Sequence, residues 1–222
     1  MTTTTTQNAI EFKLKVIHSP DMPPSKIKDD PYTWAQVRNI VGANELEKFA
    51  RSSEQTRSYH AFKRQLKLDG NTVYKHLLVS QLEWYEPEYN NNIPASQIKD
   101  LDDSEIVIKA KGKELFEDES DLKTLYNHFP YYFESDVVHL CVWSKIPIPA
   151  DPESEMGDIS PKTRASIQEY LDQILVKGLG ISKENFCWFK NWEALQSVKA
   201  ISHIHVLVKG ITKEQLDLLH VH

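Results

Sequence analysis

The segment from Ile201 to Gly210 most constrains the fold, because it is a β-type run that carries two histidines. Its Ile, Val and Leu residues are typical of strands, and Gly210 closes the run. Side chains alternate between the two faces of a strand, so His203 and His205 share one face. The pattern predicts a central strand whose two histidines either hydrogen-bond within the core or line a pocket.

A second β-type run, from Val137 to Trp143, has the same design. On this run His139 and Cys141 share a face with the two terminal residues, and aliphatic residues occupy the opposite face. We predict that the two runs are neighbours in one antiparallel sheet. That pairing would bring His139 close to the histidines of the first run.

Composition is that of an ordinary globular protein. The 222 residues are 40% hydrophobic and 26% charged, which is enough to bury a sizeable core. The net charge of −6 argues against a general nucleic-acid or membrane-surface binder, so neither partner is expected. No run approaches the roughly 20 apolar residues of a membrane span.

The cysteines and the amino terminus bear on location. Cys141 and Cys187 each lie in an apolar run, so a disulfide framework is not expected and a reducing compartment is favoured. The first residues form a Thr run that lacks the basic and apolar regions of a signal peptide. These features predict a cytoplasmic location, with the nucleus as an alternative.

We predict a flexible amino-terminal arm and linker over residues 1–31, followed by a single α+β domain over residues 32–222. In the arm, residues 10–17 alternate between apolar and polar, which predicts a short amphipathic strand or an extended arm, and four prolines follow. The domain is predicted to have a helical part at 32–85 and a sheet-containing part at 122–210.

Helices are predicted on both sides of the acidic central region. Three amphipathic helices follow one another between Thr33 and Trp84, with Thr33 as the first N-cap. A further helix from Pro161 to Lys177 has Ser160 as its N-cap and connects the two histidine-bearing strands. The predicted fold is therefore α+β, with amino-terminal helices packed on a mostly antiparallel sheet that carries the histidine cluster.

Four motifs in the carboxy-terminal half resemble a known family. They are HLCVWSK at 139–145, WFKNW at 188–192, QSV at 196–198 and HIHV at 203–206. They resemble the fungal family that includes the N-acetylglucosamine-induced protein. Where that family usually has Asn-Asp-aromatic-Pro-Tyr, this chain has His128 in place of the acidic residue. The resemblance implies a fungal, intracellular protein linked to amino-sugar response, and it implies no particular reaction.

The same region also resembles the histidine-triad nucleotide hydrolases and transferases, in the order Asn, QSV, then alternating histidines. In those enzymes a strand histidine attacks a nucleotide α-phosphorus beside groups that orient it. The resemblance implies His203 and His205 as catalytic residues. A third histidine in register is absent, so His139 would stand in from the adjacent strand.

A small-molecule pocket is the first of three functions that the residues leave open. The predicted ligand is a phosphorylated or nucleotide-linked compound, since aromatic rings stack on bases or sugars while Lys and Asn bind phosphate. An arginine beside a helix N-terminus can also hold an anion. The candidate ligand-binding residues are His139, Lys145, Lys190, Asn191, Trp192, Gln196, Ser197 and Arg51.

A metal site is the second function, with His139, His203 and His205 as candidate ligands, because a same-face His-x-His pair on a strand suits metal coordination. The third is a non-catalytic regulatory or interaction protein whose histidines and tryptophans belong to the core. The sequence leaves open whether the chain is an enzyme, which cofactor it would use and which protein it would bind.

Overall fold

The computed structural model describes residues 14–19 and 22–221, and it has an α+β fold. Its strands are β1 (Lys15–Ser19), β2 (Met22–Ile27), β3 (Leu122–Tyr126), β4 (Val137–Ser144), β5 (Phe186–Phe189) and β6 (Ser202–Lys209). Its helices are α1 (Trp34–Gly42), α2 (Ser53–Leu68), α3 (Val73–Ser80), α4 (Pro161–Leu171) and α5 (Lys213–Leu218). Four of the strands form an antiparallel sheet in the order β3–β4–β6–β5.

The two histidine-bearing strands are neighbours at the centre of this sheet, as predicted. In the β4–β6 ladder, Cys141 pairs with His205 and Trp143 pairs with His203. His139 lies two residues from Cys141 on the same face, so three histidines and one thiol come together on one side of the sheet. Strands β3 and β5 were not predicted, because four- and five-residue strands contain too few alternations to be recognised.

The opposite face of the sheet is apolar and is covered by α4. Ile167 and Leu171 of this helix pack in one core with the even-numbered residues of β4 and β6, including Leu140 and Ile204. The Ser160 hydroxyl accepts a hydrogen bond from the Thr163 N–H, which confirms the predicted N-cap. Beyond α4 the helix continues to Gly178 as a π-helical segment.

The amino-terminal helices pack on the sheet, as predicted, and the structure shows that they cover its histidine face. Helix α1 packs on the β5 side, where Val37 shares a core with Phe189 and Leu207. Helix α3 packs on the β3 side, where Leu78 shares a core with Trp143. The hydroxyls of Thr33 and Ser52 each accept a backbone N–H at the start of a helix, in complete capping boxes.

The described part of the predicted arm contains a β-hairpin, in which β1 overlaps the predicted short strand and β2 lies where a linker was predicted. Strands β1 and β2 pair antiparallel, and Ile27 at the end of β2 is only 5% exposed. The Ser25 hydroxyl also lies 3.0 Å from His60 Nε2 on α2. Burial of Ile27 and this polar contact attach the hairpin to the helical layer. The remainder of the alternating run, residues 10–13, lies outside the described residues.

None of the helices in the described ranges is both long and apolar enough to cross a bilayer.

Candidate functional site

A cavity of about 320 Å³ lies between the histidine face of the sheet and the helical layer. Its aliphatic and aromatic lining consists of Tyr59, Phe62, Val73, Leu77, Leu125, Tyr126, Phe129, Tyr131, Trp143, Leu195 and Val198. Its other lining residues are Arg51, His76, Gln81, Asn127, His128, Cys141, Asn191, Ser197, His203 and His205. This volume is that of a small-molecule site, and the mixture of rings with a few converging polar groups is typical of one.

A chain of polar contacts runs beneath the cavity through two of the predicted histidines. The Phe129 N–H donates to Asn127 Oδ1 at 3.0 Å, which orients that amide. Asn127 Nδ2 lies 3.1 Å from His139 Nε2, and His139 Nε2 lies 2.9 Å from His205 Nδ1. His205 Nε2 lies 3.2 Å from Asn191 Nδ2. Two imidazoles are therefore held in place by an amide at each end.

The proton positions follow from this chain, since an amide Nδ2 can only donate. With the amides in these orientations, Asn127 Nδ2 and His205 Nδ1–H share the single lone pair of His139 Nε2, so the proton between the two rings belongs to His205 Nδ1. His205 Nε2 then accepts from Asn191 Nδ2. The Asn191 Oδ1 atom is buried without a hydrogen-bond partner among the described residues. Both nitrogens of His205 are thus engaged.

His203 is arranged differently from its neighbour. Its ring stacks on Trp143 with 4.1 Å between centroids, and its Nδ1 lies 3.2 Å from the Ile201 carbonyl oxygen. A carbonyl can only accept, so Nδ1 carries the proton and Nε2 carries the lone pair. In the described ranges Nε2 has no hydrogen-bond partner. His203 therefore presents an unengaged lone pair at the wall of the cavity.

All three histidines are held in the neutral form. Burial and, to a lesser extent, the nearby Arg51 charge lower the pKa of His139 to about 3. Burial, opposed by the bond to Ile201, lowers the pKa of His203 to about 4. Burial and the neighbouring His203 and His139 also lower the pKa of His205 well below its usual value. At neutral pH the unprotonated rings of the cluster can coordinate a metal or act as a nucleophile.

Arg51 is the permanent cation of the cavity lining. Its Nε donates to the Phe129 carbonyl at 3.0 Å, and its guanidinium lies over the rings of Tyr59 and Tyr131 at 4.6 and 5.2 Å. In the described part of the chain no carboxylate lies within salt-bridge distance of it. The cavity lining likewise contains no Asp or Glu. An anionic ligand would therefore meet a cation with no competing protein anion.

Three of these side chains also form a group that could hold a metal ion. The donor atoms of His139, Cys141 and His205 all lie within 4.8 Å of one another, and all three residues are buried. Cys141 Sγ lies 3.5 Å from His205 Nδ1. Within the described residues, this group contains Cys141 where the sequence pattern suggested His203.

The structure brings some of the sequence-predicted residues together. Arg51, Asn191, Ser197, His203 and His205 line the cavity, and His139 lies behind them against His205.

The other predicted residues lie apart from the cavity. Lys145 Nζ lies over the Trp84 ring at 5.5 Å, and Trp192 Nε1 donates to Asn44 Oδ1 at 3.2 Å. Gln196 Nε2 donates to the backbone carbonyl of Asn191 at 2.8 Å, so it supports a lining residue. Lys190 is buried, and burial lowers its pKa. None of the four is part of the cavity lining in the described ranges.

The sequence patterns missed the helical wall of the cavity. Tyr59 and Phe62 of α2, and His76 of α3, line it together with the segment 127–131. The spacing of Tyr59 and Phe62 placed them on one helix face, but the same spacing describes ordinary core residues. The 127–131 segment lies between β3 and β4, and its position shortly before a histidine-bearing strand was the usable signal.

Comparison with known proteins identifies a family and two similar fungal proteins. Residues 33–209 match the model of a family described as a protein of unknown function (DUF3605). The chain is 43% identical over 210 residues to N-acetylglucosamine-induced protein 1 of Candida albicans, covering 94% of this chain and 81% of that protein. It is 30% identical over 182 residues to an uncharacterised protein of Saccharomyces cerevisiae, covering 80% and 78%.

A solved structure supports the fold. The crystal structure of HTC1 is similar with a TM-score of 0.62 and 26% sequence identity, covering 85% of this chain and 93% of that one. The family match covers every cavity-lining residue, and it includes both histidine-bearing strands. The chain therefore belongs to the DUF3605 family, the family of the fungal N-acetylglucosamine-induced protein.

Proposed function

We propose that this protein binds a small ring-bearing molecule with an anionic group, of the phosphorylated or nucleotide-linked class, in the cavity above His203 and His205. The observation that carries the proposal is the charge of the lining, which includes Arg51 and contains no acidic side chain among the described residues. A guanidinium binds phosphate through paired N–H groups, and no carboxylate of the described residues lies within salt-bridge distance of the Arg51 terminal nitrogens.

The rest of the lining supports the ring-bearing part of the ligand. Tyr59, Phe62 and Phe129 form a contiguous aromatic wall, with ring centroids 5.0 Å apart between Phe129 and each of the other two. Aromatic faces of this kind stack on a base or on the apolar face of a sugar. Because one relative is named for induction by N-acetylglucosamine, phosphorylated amino sugars are the first class to test.

The test is calorimetric titration with matched pairs of compounds. Phosphorylated amino sugars, nucleoside monophosphates and sugar nucleotides are each compared with the unphosphorylated form. We expect the phosphorylated member to bind more tightly. Arg51→Met should weaken it by about 10- to 100-fold, because a hydrogen bond to a charged group contributes about 1.5–3 kcal/mol. The affinity of Arg51→Lys should lie between those of the wild type and Arg51→Met, since lysine keeps the charge and loses the paired geometry.

Arg57→Met is the matched control. Arg57 is on α2, six residues after Arg51, but it is exposed and its guanidinium contacts Ser53 Oγ outside the cavity. Its removal should leave affinity unchanged, and thermal melting would show that each variant is folded. Equal affinity for neutral and phosphorylated forms, or a folded Arg51→Met protein that binds as wild type does, would contradict the proposal. So would the absence of binding across the whole panel.

A second candidate function, transfer or hydrolysis of a phosphoryl or nucleotidyl group, is favoured by the unengaged lone pair of His203. Attack by Nε2 would form an N–P bond and break the bond from phosphorus to the leaving group, and water would then release the phosphorylated product. The geometry favours His203 over His205 as nucleophile, because both nitrogens of His205 are hydrogen-bonded. We expect His203→Ala to abolish turnover of a nucleoside phosphoramidate while His18→Ala, at an exposed position on β1, does not. No turnover by the wild-type protein would remove this candidate.

We infer a cytoplasmic location, with the nucleus as the alternative. Cys141 and Cys187 are both free thiols, and the use of cysteine as a free thiol is typical of reducing compartments. Fluorescent tagging of the full chain tests the location directly, and secretion of the tagged protein would contradict it.

A further inference from the structure

We propose that His139, Cys141 and His205 form a binding site for one copper(I) ion. This function goes beyond the binding of an organic anion in the cavity. The three donors come from adjacent central strands, since Cys141 and His205 are direct partners in the β4–β6 ladder and His139 is two residues along β4. The sheet therefore sets their positions, and no mobile segment is needed to bring them together.

The spacing of the donor atoms is close to that of a metal site. Bond lengths of about 2.0–2.3 Å to nitrogen and sulfur put neighbouring donors about 3.3–3.7 Å apart. The observed separations from His205 Nδ1 are 2.9 Å to His139 Nε2 and 3.5 Å to Cys141 Sγ. The two imidazoles have to move apart by about half an ångström, which side-chain rotation can provide. The hydrogen bond between them is lost when the metal binds.

The donor types select a soft metal. One thiolate and two imidazoles suit copper(I) or zinc, and they exclude magnesium and calcium, which require oxygen ligands. Acidic side chains, the usual companions of a divalent ion in a mixed site, are missing from the described cavity lining.

Charge decides between the two soft metals. Coordination requires both imidazoles to be neutral and Cys141 to be a thiolate, so the three ligands together contribute one negative charge. When copper(I) binds, the S–H bond breaks, a Cu–S bond forms and the proton leaves to solvent, so the buried cluster is neutral. Zinc(II) would instead leave one net positive charge beside the Arg51 cation, in surroundings of low dielectric constant. This difference assigns copper(I).

The Asn191 amide can support the tautomer of His205 that metal binding requires. His139 Nε2 already carries a lone pair, whereas His205 must move its proton from Nδ1 to Nε2. A half-turn of the Asn191 amide would then present Oδ1 to His205 Nε2–H. Metal-ligating histidines usually donate their second N–H to such an oxygen. Cys141 and His205 also line the cavity, so the ion would lie at its floor with an open position facing the ligand.

The test titrates the full chain with copper(I), under reducing conditions, against a chromophoric copper(I) chelator. We expect one equivalent to be withdrawn from the chelator. Cys141→Ser and His139→Gln each remove a metal ligand. Loss of a residue that only orients a ligand costs about 10- to 100-fold in metal affinity, so these two variants should lose more than that. Cys187→Ser is the matched control, since this thiol lies on β5 outside the donor group, and it should bind as the wild type does. X-ray absorption of the wild-type complex should show one sulfur and two nitrogen neighbours, a readout that does not depend on variant stability.

Several results would overturn the assignment. They are failure of the wild-type chain to compete with the chelator, unchanged binding by Cys141→Ser, a sulfur-free coordination shell, and tighter binding of zinc(II) than of copper(I). The Arg51→Met variant separates this site from the proposed ligand pocket. It should bind copper(I) at least as tightly, because a neighbouring positive charge has been removed, while its affinity for the organic anion falls.

Discussion

The two faces of the central sheet differ although the same strands form both. On the α4 side, Leu140, Ile204 and their neighbours pack into a continuous apolar core. On the helical-layer side, His139 and His205 are held by amides, and a cavity of about 320 Å³ is left between the layers. The comparison shows that the alternation of side chains along one pair of strands can place an apolar core on the first face of a sheet and reactive polar groups on the second. The first is expected to tolerate acid and the second to tolerate small packing defects.

Acid should produce the largest effect, and it should act through the histidine face. In the unfolded chain histidines bind protons near pH 6.5. In the folded protein the pKa of His139 is about 3 and that of His203 is about 4, so both rings stay neutral to much lower pH. Unfolding therefore takes up protons, and stability falls as pH drops from about 6.5 towards these values. At about pH 5 each of these two histidines should lower the free energy of unfolding by about 2 kcal/mol relative to neutral pH. Urea unfolding at both pH values measures the loss.

The control for this prediction compares how strongly the stability of each variant depends on pH, because the substitutions also change stability at neutral pH. His203→Gln should reduce the acid-induced loss by about 2 kcal/mol, because one buried neutral imidazole has been removed. His128→Gln, at an exposed position, should retain the wild-type loss. Identical pH dependence in the wild type and His203→Gln would show that this histidine is not held neutral.

Loss of a large side chain on the apolar face should come next. Ile167 is fully buried on α4, so Ile167→Ala should destabilise the protein by about 3 kcal/mol through lost burial and a residual cavity. The decrease should be equal at neutral pH and at about pH 5, because Ile167 and the histidines lie on opposite sides of the sheet. A cost that depends on pH would show that the two faces are coupled.

Removal of an amide from the histidine face should cost less. Asn127→Ala leaves the Phe129 N–H and one side of His139 without their partners, so we expect a loss of about 2 kcal/mol. In a double-mutant cycle with Asn191→Ala, the coupling energy should be about 1 kcal/mol, because the two amides are linked through the His139–His205 bond. Strict additivity would argue that the contacts do not act as one network.

The smallest effect is expected outside both faces. Lys145 lies over the Trp84 ring rather than in the cavity, so Lys145→Met should cost about 0.5–1 kcal/mol of stability through the lost cation–π contact. It should leave ligand affinity unchanged in calorimetric titration. A large loss of affinity would show that Lys145 belongs to the ligand-binding site.

Much of the fold was predictable because it depends on local or periodic signals. The pairing of β4 with β6 followed from two alternating runs, and the helix starts at Thr33 and Ser160 followed from capping chemistry. The hairpin over residues 15–27 was missed as an element, since two prolines in β2 disguise an edge strand. Short strands β3 and β5 gave no periodic signal of their own.

The chain's own residues determined that three histidines would share one face of a central sheet, since alternation along a strand is a local property. Tertiary structure alone decided which of them touch: His139 bonds His205, while His203 turns to the Ile201 carbonyl and stacks on Trp143. It also decided that Cys141 joins the donor group and that Arg51 faces the cavity while Lys145 and Lys190 do not. Side-chain rotation and contacts between distant segments set these details, and a linear pattern carries neither.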